Sequence, residues 1–340
     1  MPLVLQYFYR FTYYYSLAFG LLRFEYDFHR GNVRPTFRVA LYALLSNLLI
    51  VSLLPQQFKL DIVGIAHNSK ARDLFQFLYV SLSLARSVAC VLILALYWWR
   101  RHDVIALIID FQRLVRVRAG HFPHSTVSVR RFRYALLRKL LFICATDMLR
   151  FLMAWHSGKW RDQQSIILMT IYFALLSQVV NHFFFGMCVL NFYLEALNEE
   201  LQSIVDAVAL LAAQRRLWPH NFPRRCARLI NQFNELMATR QKLLCFADRL
   251  TVVLGAQSGC VIFVFYLYNV SMVYLLYSLT KPHEAVLLDM PPWAITCFLI
   301  VTAIYCADTL EVLFAFQRLQ KNFARSSSFT SKKLVTHISR

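Results

Sequence analysis

The sequence predicts an all-α fold, a polytopic bundle of membrane helices, and three observations predict it. Of the 340 residues, 58% are hydrophobic and the mean hydropathy is +0.46. Average soluble domains are only about 45–50% apolar. The excess is gathered into long runs, and soluble folds do not repeatedly bury helices of more than ~18 apolar residues. The basic residues collect in alternate connections between those runs, the pattern that orients chains in a bilayer.

The elements follow in order. Residues 1–36 form an N-terminal segment in which Leu3–Leu22 is apolar and aromatic. Arg10 interrupts it and no charged leader precedes it. It therefore reads as an aromatic helix at the membrane interface and not as a signal peptide. The membrane bundle occupies residues 37–316. Its first span is Phe37–Leu54, closed by Pro55. The second is Phe75–Trp99, ending in the interfacial pair Trp98 and Trp99. The third is Tyr134–Trp155, the fourth Ser165–Tyr193, the fifth Leu250–Leu279, and the sixth Trp293–Phe316. Residues 317–340 form a basic tail.

Charge sets the orientation. The N-terminal segment carries Arg10, Arg23, Arg30, Arg34 and Arg38. The connection at residues 100–133 carries eight arginines from Arg100 to Arg133, and the one at 195–249 carries another basic cluster from Arg215 to Arg249. The tail adds six basic residues from Arg318 to Arg340. The other connections hold only Lys59, Lys70 and Arg72, then Lys159 and Arg161, then Lys281. Both termini are therefore expected in the cytoplasm. The net charge of +19 reflects this distribution and not a phosphate-binding face, so no nucleic-acid partner is expected.

The outer connections are short, and any outside ligand has to enter the bundle. The inner ones are long. After the fourth span, Leu194, Leu197 and Leu201 recur at helical spacing with acidic residues opposite, so the membrane helix is expected to continue into the cytoplasm. Pro219 and Pro223 break it. A second helix from about Arg224 leads into span five, with Leu229, Phe233, Leu236 and Leu243 on one side.

The eight cysteines include no CxxC pair, and none lies in an expected outer segment, so neither a metal site nor a structural disulfide is expected. No cofactor is implied. The sequon Asn269–Val270–Ser271 lies within span five and is not expected to be glycosylated.

Polar residues inside the spans are the candidates for function. They are Arg86 in span two, Asp147 and Arg150 on one face of span three, Asn181 and His182 in span four, and Gln257 in span five. Two roles are open: interhelical glue, with Asp147 paired to Arg150 or Arg86, or the polar lining of a ligand cavity. Arg138 and Lys139 are expected to snorkel to the cytoplasmic boundary, with Asp308 and Glu311 solvated there. His182 has no second ligand at metal spacing. No nucleophile–base pair or motif of paired aspartates points to an enzyme.

The end of span four, Phe192–Tyr193–Leu194–Glu195–Ala196–Leu197–Asn198–Glu199–Glu200–Leu201, resembles the insect gustatory receptor family, where an aromatic/leucine pattern leads into LNxEL. Asn231–Gln232–Phe233–Asn234–Glu235–Leu236 resembles that family's helix before span five. The order of connections over Phe37–Phe316 fits as well. The resemblance implies a plasma-membrane chemoreceptor of sensory neurons, a homo- or hetero-tetrameric ligand-gated cation channel that takes small tastants in the outer half of each bundle and contacts membrane lipid. It also implies a seventh span with the signature T-Y, five hydrophobic residues, then Q-F. The nearest stretch here, Thr309–Arg318, has Leu310 for the Tyr and Arg318 for the Phe. No seventh span is therefore expected within these residues. Two other roles stay open: a truncated subunit that modulates full-length partners, and a solute transporter using Arg86, Asp147 and Arg150.

Overall fold

The computed structural model describes residues 3–28, 32–66, 73–118, 126–156, 160–214, 222–279 and 292–328. Arg30, Lys70, Arg72, Lys159, Arg215, Pro219, Lys281 and the last residues of the basic tail lie outside them.

The chain opens with helix α1 (Leu3–Ala18). It ends in a Schellman turn: Leu21 N–H donates to Ser16 O and Gly20 N–H to Leu17 O. Gly20 carries φ +66° there, and a Cβ would sit 2.9 Å from Ala43 O. Glycine suits both the dihedral and the close approach of the next helix, α2 (Phe37–Ala66). A short antiparallel hairpin follows, β1 (Glu25–Asp27) and β2 (Asn32–Arg34), with Tyr26 opposite Val33.

The long helices are α2 (Phe37–Ala66), α3 (Asp73–Trp99), α4 (Arg101–Arg118), α5 (Thr126–His156), α6 (Trp160–Gln214), α7 (Phe222–Leu250), α8 (Ala256–Leu279) and α9 (Pro292–Ser328). One π-helical turn, Thr251–Gly255, welds α7 to α8. Helix α2 does not stop at Pro55 as the sequence suggests; it runs on to Ala66. The Tyr172 hydroxyl donates to Ile50 O at 3.0 Å. That ties α2 to α6 one turn before the proline; the carbonyl that Pro55 itself leaves without an N–H is that of Val51.

Five helices are long and apolar enough to cross a membrane, by length and composition, among the described residues: Phe37–Leu60, Phe77–Trp99, Gln163–Leu211, Pro223–Tyr274 and Ile295–Arg325. Helix α5, expected as the third span, is absent from that group because Arg138, Lys139, Asp147 and Arg150 punctuate it.

Helix α6 is the column on which the others pack. It touches α1, α2, α3, α5, α7, α8 and α9. Of its most apolar stretch, 83% is buried, against 22–44% for the other four. The face that periodicity assigns to the interior, Leu194, Leu197 and Leu201, is buried. Cross-helix contacts fix directions. Tyr97 meets His182 while Arg86 lies over Phe173, so α3 runs parallel to α6. Asn191 bonds Ala315 O while Phe173 packs on Tyr305, so α9 does too. Arg138 meets Glu311 while Arg150 meets Tyr305, so α5 runs against them. The C-terminal ends of α3 and α6 thus point toward one end of the bundle, the basic end.

Candidate functional site

Three layers of polar chemistry cross the bundle. The first centres on His182 of α6. Its Nε2 lies 2.8 Å from Ser16 Oγ and its Nδ1 lies 2.9 Å from the Tyr97 hydroxyl. Ser16 Oγ spends its only hydrogen on Thr12 O at 2.6 Å, so toward His182 it can only accept. Nε2 therefore carries the proton in the neutral ring, and the Tyr97 hydroxyl donates to Nδ1. The proton order Tyr97→His182→Ser16→Thr12 ties α3, α6 and α1 together.

Beside this bridge lies a cavity of about 100 Å³. Tyr9, Thr12 and Tyr13 of α1 wall one side. Tyr97, Val104, Leu107 and Ile108 come from α3 and α4, His182, Phe185 and Gly186 from α6, and Phe246, Leu250 and Leu254 from α7 and the π turn. The walls are almost wholly apolar. Thr12 is buried, and its Oγ1 has no hydrogen-bond partner among the described residues. Gly186 lets Leu250 pack close, since a Cβ would fall 2.7 Å from both Leu250 methyls. The cavity sits toward the basic end, whereas the family resemblance places tastants in the opposite half.

The second layer is an arginine–aromatic box deeper in the bundle. Arg150 of α5 lies 4.5 Å over the Phe173 ring and 5.0 Å over Tyr305, and it donates to the Tyr305 hydroxyl. Arg86 of α3 lies 5.7 Å over the same Phe173. Phe265 and Tyr268 of α8 close the cluster. Aromatic faces stabilise a desolvated guanidinium by about 2 kcal/mol. Asp147 lies on the same helix as Arg150 but takes its short hydrogen bond from the Tyr15 hydroxyl of α1, at 2.6 Å. Tyr15, Asp147, Asn181, Tyr305 and Asp308 wall a small void of about 10 Å³, room for about one water.

The third layer lies at the basic end. Lys139 is fully buried and donates to Asp308 at 2.5 Å. Arg138 pairs with Glu311, which is 8% exposed. This corrects the snorkelling expected of Lys139 and the solvated places expected of Asp308 and Glu311. The carboxylates of α9 come within reach because α5 and α9 pack antiparallel, and a buried lysine with a short ion pair costs less than one left bare. Arg131 meets Glu195 at 3.2 Å one layer further out. A second cavity of about 300 Å³, lined by residues of α5, α6 and α9, opens beside these pairs.

The six candidates that the sequence offers do not converge. His182 lines the apolar cavity, while Asp147 and Asn181 line the small void. Arg86 and Arg150 share Phe173. Gln257 is buried on the first turn of α8, and neither amide atom is bonded among the described residues. The expected pairing of Asp147 with an arginine gives way to Tyr15. Thr12, Ser16, Tyr97 and Gly186 carry no signal in the sequence, because each is an ordinary residue until another helix is laid against it. No group of three or more His, Cys, Asp or Glu side chains is placed to hold a metal among the described residues.

A family model described as "7tm Chemosensory receptor" matches residues 9–337. Among curated proteins, the chain is similar to three Drosophila melanogaster proteins assigned by name as gustatory receptors. It is 26% identical to gustatory receptor 36c over 277 residues, covering 79% of this chain and 68% of that protein. It is 22% identical to gustatory receptor 36a, over 78% of this chain and 67% of that one. For gustatory receptor 59d the identity is also 22%, over 80% and 68%.

Proposed function

Because the chain belongs to the 7tm chemosensory receptor family, we propose that it is a gustatory receptor subunit of the ligand-gated cation-channel type. It lies multi-pass in the plasma membrane of sensory neurons with its basic end in the cytoplasm, and it assembles with related subunits as a tetramer. Helix α5 crosses the bilayer with the five apolar helices, since Lys139, Asp147 and Arg150 are taken up by α1 and α9, and Arg138, toward the basic end, pairs with Glu311.

The ligand is a small, mostly apolar molecule with one hydrogen-bonding group, held in the cavity beside His182. The observation that carries this is Thr12 Oγ1, which has no partner among the described residues in an otherwise apolar enclosure. Binding sites are mostly apolar with a few convergent polar groups. At about 100 Å³ the space is smaller than an engineered cavity of about 150 Å³ that holds benzene. The occupant is therefore a compact molecule, or one that displaces Leu250.

The test is expression with and without a related receptor and recording of cation current during exposure to small volatile and apolar tastants. Thr12→Val keeps the shape and removes the hydroxyl. It should raise the half-maximal ligand concentration about tenfold, the worth of one hydrogen bond of about 1–1.5 kcal/mol. An unchanged dose response puts the ligand elsewhere. Absence of evoked current in every combination overturns the channel assignment. A tag after Arg340 that antibody reaches without permeabilisation overturns the topology.

A further inference from the structure

The cavity of about 300 Å³ between α5, α6 and α9 is not used by the function proposed above. Its charged lining is Arg131, Arg138, Arg318 and Lys321 against Glu195 and Glu311. Arg131 and Arg138 answer the two carboxylates. Arg318 and Lys321 have no acidic partner among the described residues, so the lining carries two uncompensated positive charges. Glu311 is buried, and its Oε2 has no hydrogen-bond partner there. The cavity thus asks for an anion and, at one point on its wall, for a hydrogen-bond donor.

Its surroundings specify where that anion comes from. On α5, Arg131, Tyr134, Arg138 and Leu141 follow helical spacing along one stripe. On α9, Leu310, Phe314, Gln317 and Lys321 do the same. On α9 Gln317 and Lys321 lie toward the basic end, and on α5 Leu141 lies beyond Arg138. Leu141, Leu310 and Phe314 stand exposed beyond them at 64%, 51% and 61%, and Tyr134, at 59%, stands exposed between Arg131 and Arg138. Phe314 also lines the cavity itself. A basic hollow that opens directly onto an exposed apolar band matches a molecule with an anionic head and acyl chains. Basic pockets between membrane helices at the cytoplasmic side hold such heads.

We infer that this cavity binds an anionic phospholipid with a phosphorylated polyol head, of the phosphoinositide class. Arg318 and Lys321 hold its phosphates, a head hydroxyl donates to Glu311 Oε2, and its chains lie along Leu310 and Phe314. The lipid source rests on the proposed cytoplasmic side of the basic end. The site itself rests only on the cavity.

The full chain in neutral detergent is titrated with dioctanoyl phosphatidylinositol bisphosphate and binding is read by native mass spectrometry. This reads the cavity whether or not topology and tastant proposals stand. Saturable binding is expected, weakened about twenty-fivefold in the double variant Arg318→Gln/Lys321→Gln, each charge contributing about fivefold. Both side chains are exposed and neither is held by an acidic partner, so this variant should fold as the parent does. Arg225→Gln/Arg228→Gln, an exposed basic pair on α7 outside the cavity, should bind as the parent does. Equal loss in both double variants, or no loss in the first, overturns the site. Inositol trisphosphate binding as tightly as the lipid overturns the lipid source. Dioctanoyl phosphatidic acid binding as tightly overturns the polyol head.

Discussion

Replacing His182 tests the hydrogen-bonded bridge between α3, α6 and α1. In His182→Leu two interhelical hydrogen bonds disappear, one to Ser16 Oγ and one from Tyr97. Ser16 keeps its bond to Thr12 O, so its hydroxyl hydrogen stays satisfied. The hydroxyl of Tyr97, a residue only 3% exposed, is left with a hydrogen and no acceptor. Interhelical hydrogen bonds in membrane proteins average about 0.6 kcal/mol and reach about 1.7. Two of them put the cost of His182→Leu at about 1–3 kcal/mol. In a Tyr97→Phe background only the Ser16 bond remains to be lost. The double variant should therefore be about 0.6–1.7 kcal/mol more stable than the sum of the single changes predicts. The assay is a double-mutant cycle by equilibrium unfolding in mixed micelles. Costs that add to within about 0.3–0.5 kcal/mol, the tolerance of independent sites, would refute the bridge.

Gly186→Ala should leave stability within about 2 kcal/mol, since the helical gain from losing a glycine opposes the repacking of Leu250. It should shift the tastant dose response to higher concentration, because Leu250 must turn into the cavity it lines; evoked current or calcium entry reads this. Lys139→Met strands Asp308 inside the bundle and should cost about 3–5 kcal/mol. Lys139→Met with Asp308→Leu should recover most of that, read as the thermal midpoint and the yield of monodisperse protein. Arg23→Met should stabilise the fold by about 1 kcal/mol, because none of the three guanidinium nitrogens has a hydrogen-bond partner among the described residues. The guanidinium lies over the Trp98 ring, and a thioether keeps a favourable contact with that ring. Burial, with Arg101 adding to it, pulls Arg23 down to about 10 from 12.5. Its charged form is thus disfavoured by folding at every pH below that, and the penalty is relieved as pH rises through 10. The gain from Arg23→Met, read by chemical unfolding across pH, should be full at pH 7 and shrink above pH 10.

The helices and the interior face of the α6 extension are legible in the sequence because both follow from local spacing. Leu194, Leu197 and Leu201 can be placed without knowing any other helix. The charges of α5 are not legible in the same way. Lys139 near a helix end looks like a snorkelling side chain, and its partner is 169 residues away. Only the antiparallel packing of α9 decides between the two. Pro55 misleads for a related reason: α2 packs against α6, where Tyr172 bonds Ile50 O, and stays helical through a residue that sequence alone reads as its end. The apolar cavity is invisible in the sequence because Thr12 and Gly186 acquire meaning only when α1 and α7 close over α6. Arg86 and Arg150 are legible as unusual, but their charge says nothing of the aromatic faces that lie beneath them.

Helix α6 joins the two larger cavities more closely than their chemistry suggests. His182, Phe185 and Gly186 face the apolar one, and Phe184, Cys188, Asn191 and Glu195 face the basic one. At about 100° per residue, from 3.6 residues per turn, these sets lie on opposite sides of consecutive turns. A ligand that pushes Leu250 or Phe185 acts on the turn whose other side carries Phe184 and Cys188. Packed helices resist local compression, so such a push is relieved by moving α6 against α9, where Asn191 and Asn198 bond Ala315 O and Asn322 O. If occupancy of one cavity shifts α6, linkage requires the other to respond by the same factor in affinity. Tastant affinity measured with and without the phosphoinositide, and lipid affinity measured with and without tastant, must then change by equal ratios. Ratios of one in both titrations would mean that no movement of α6 couples the two cavities.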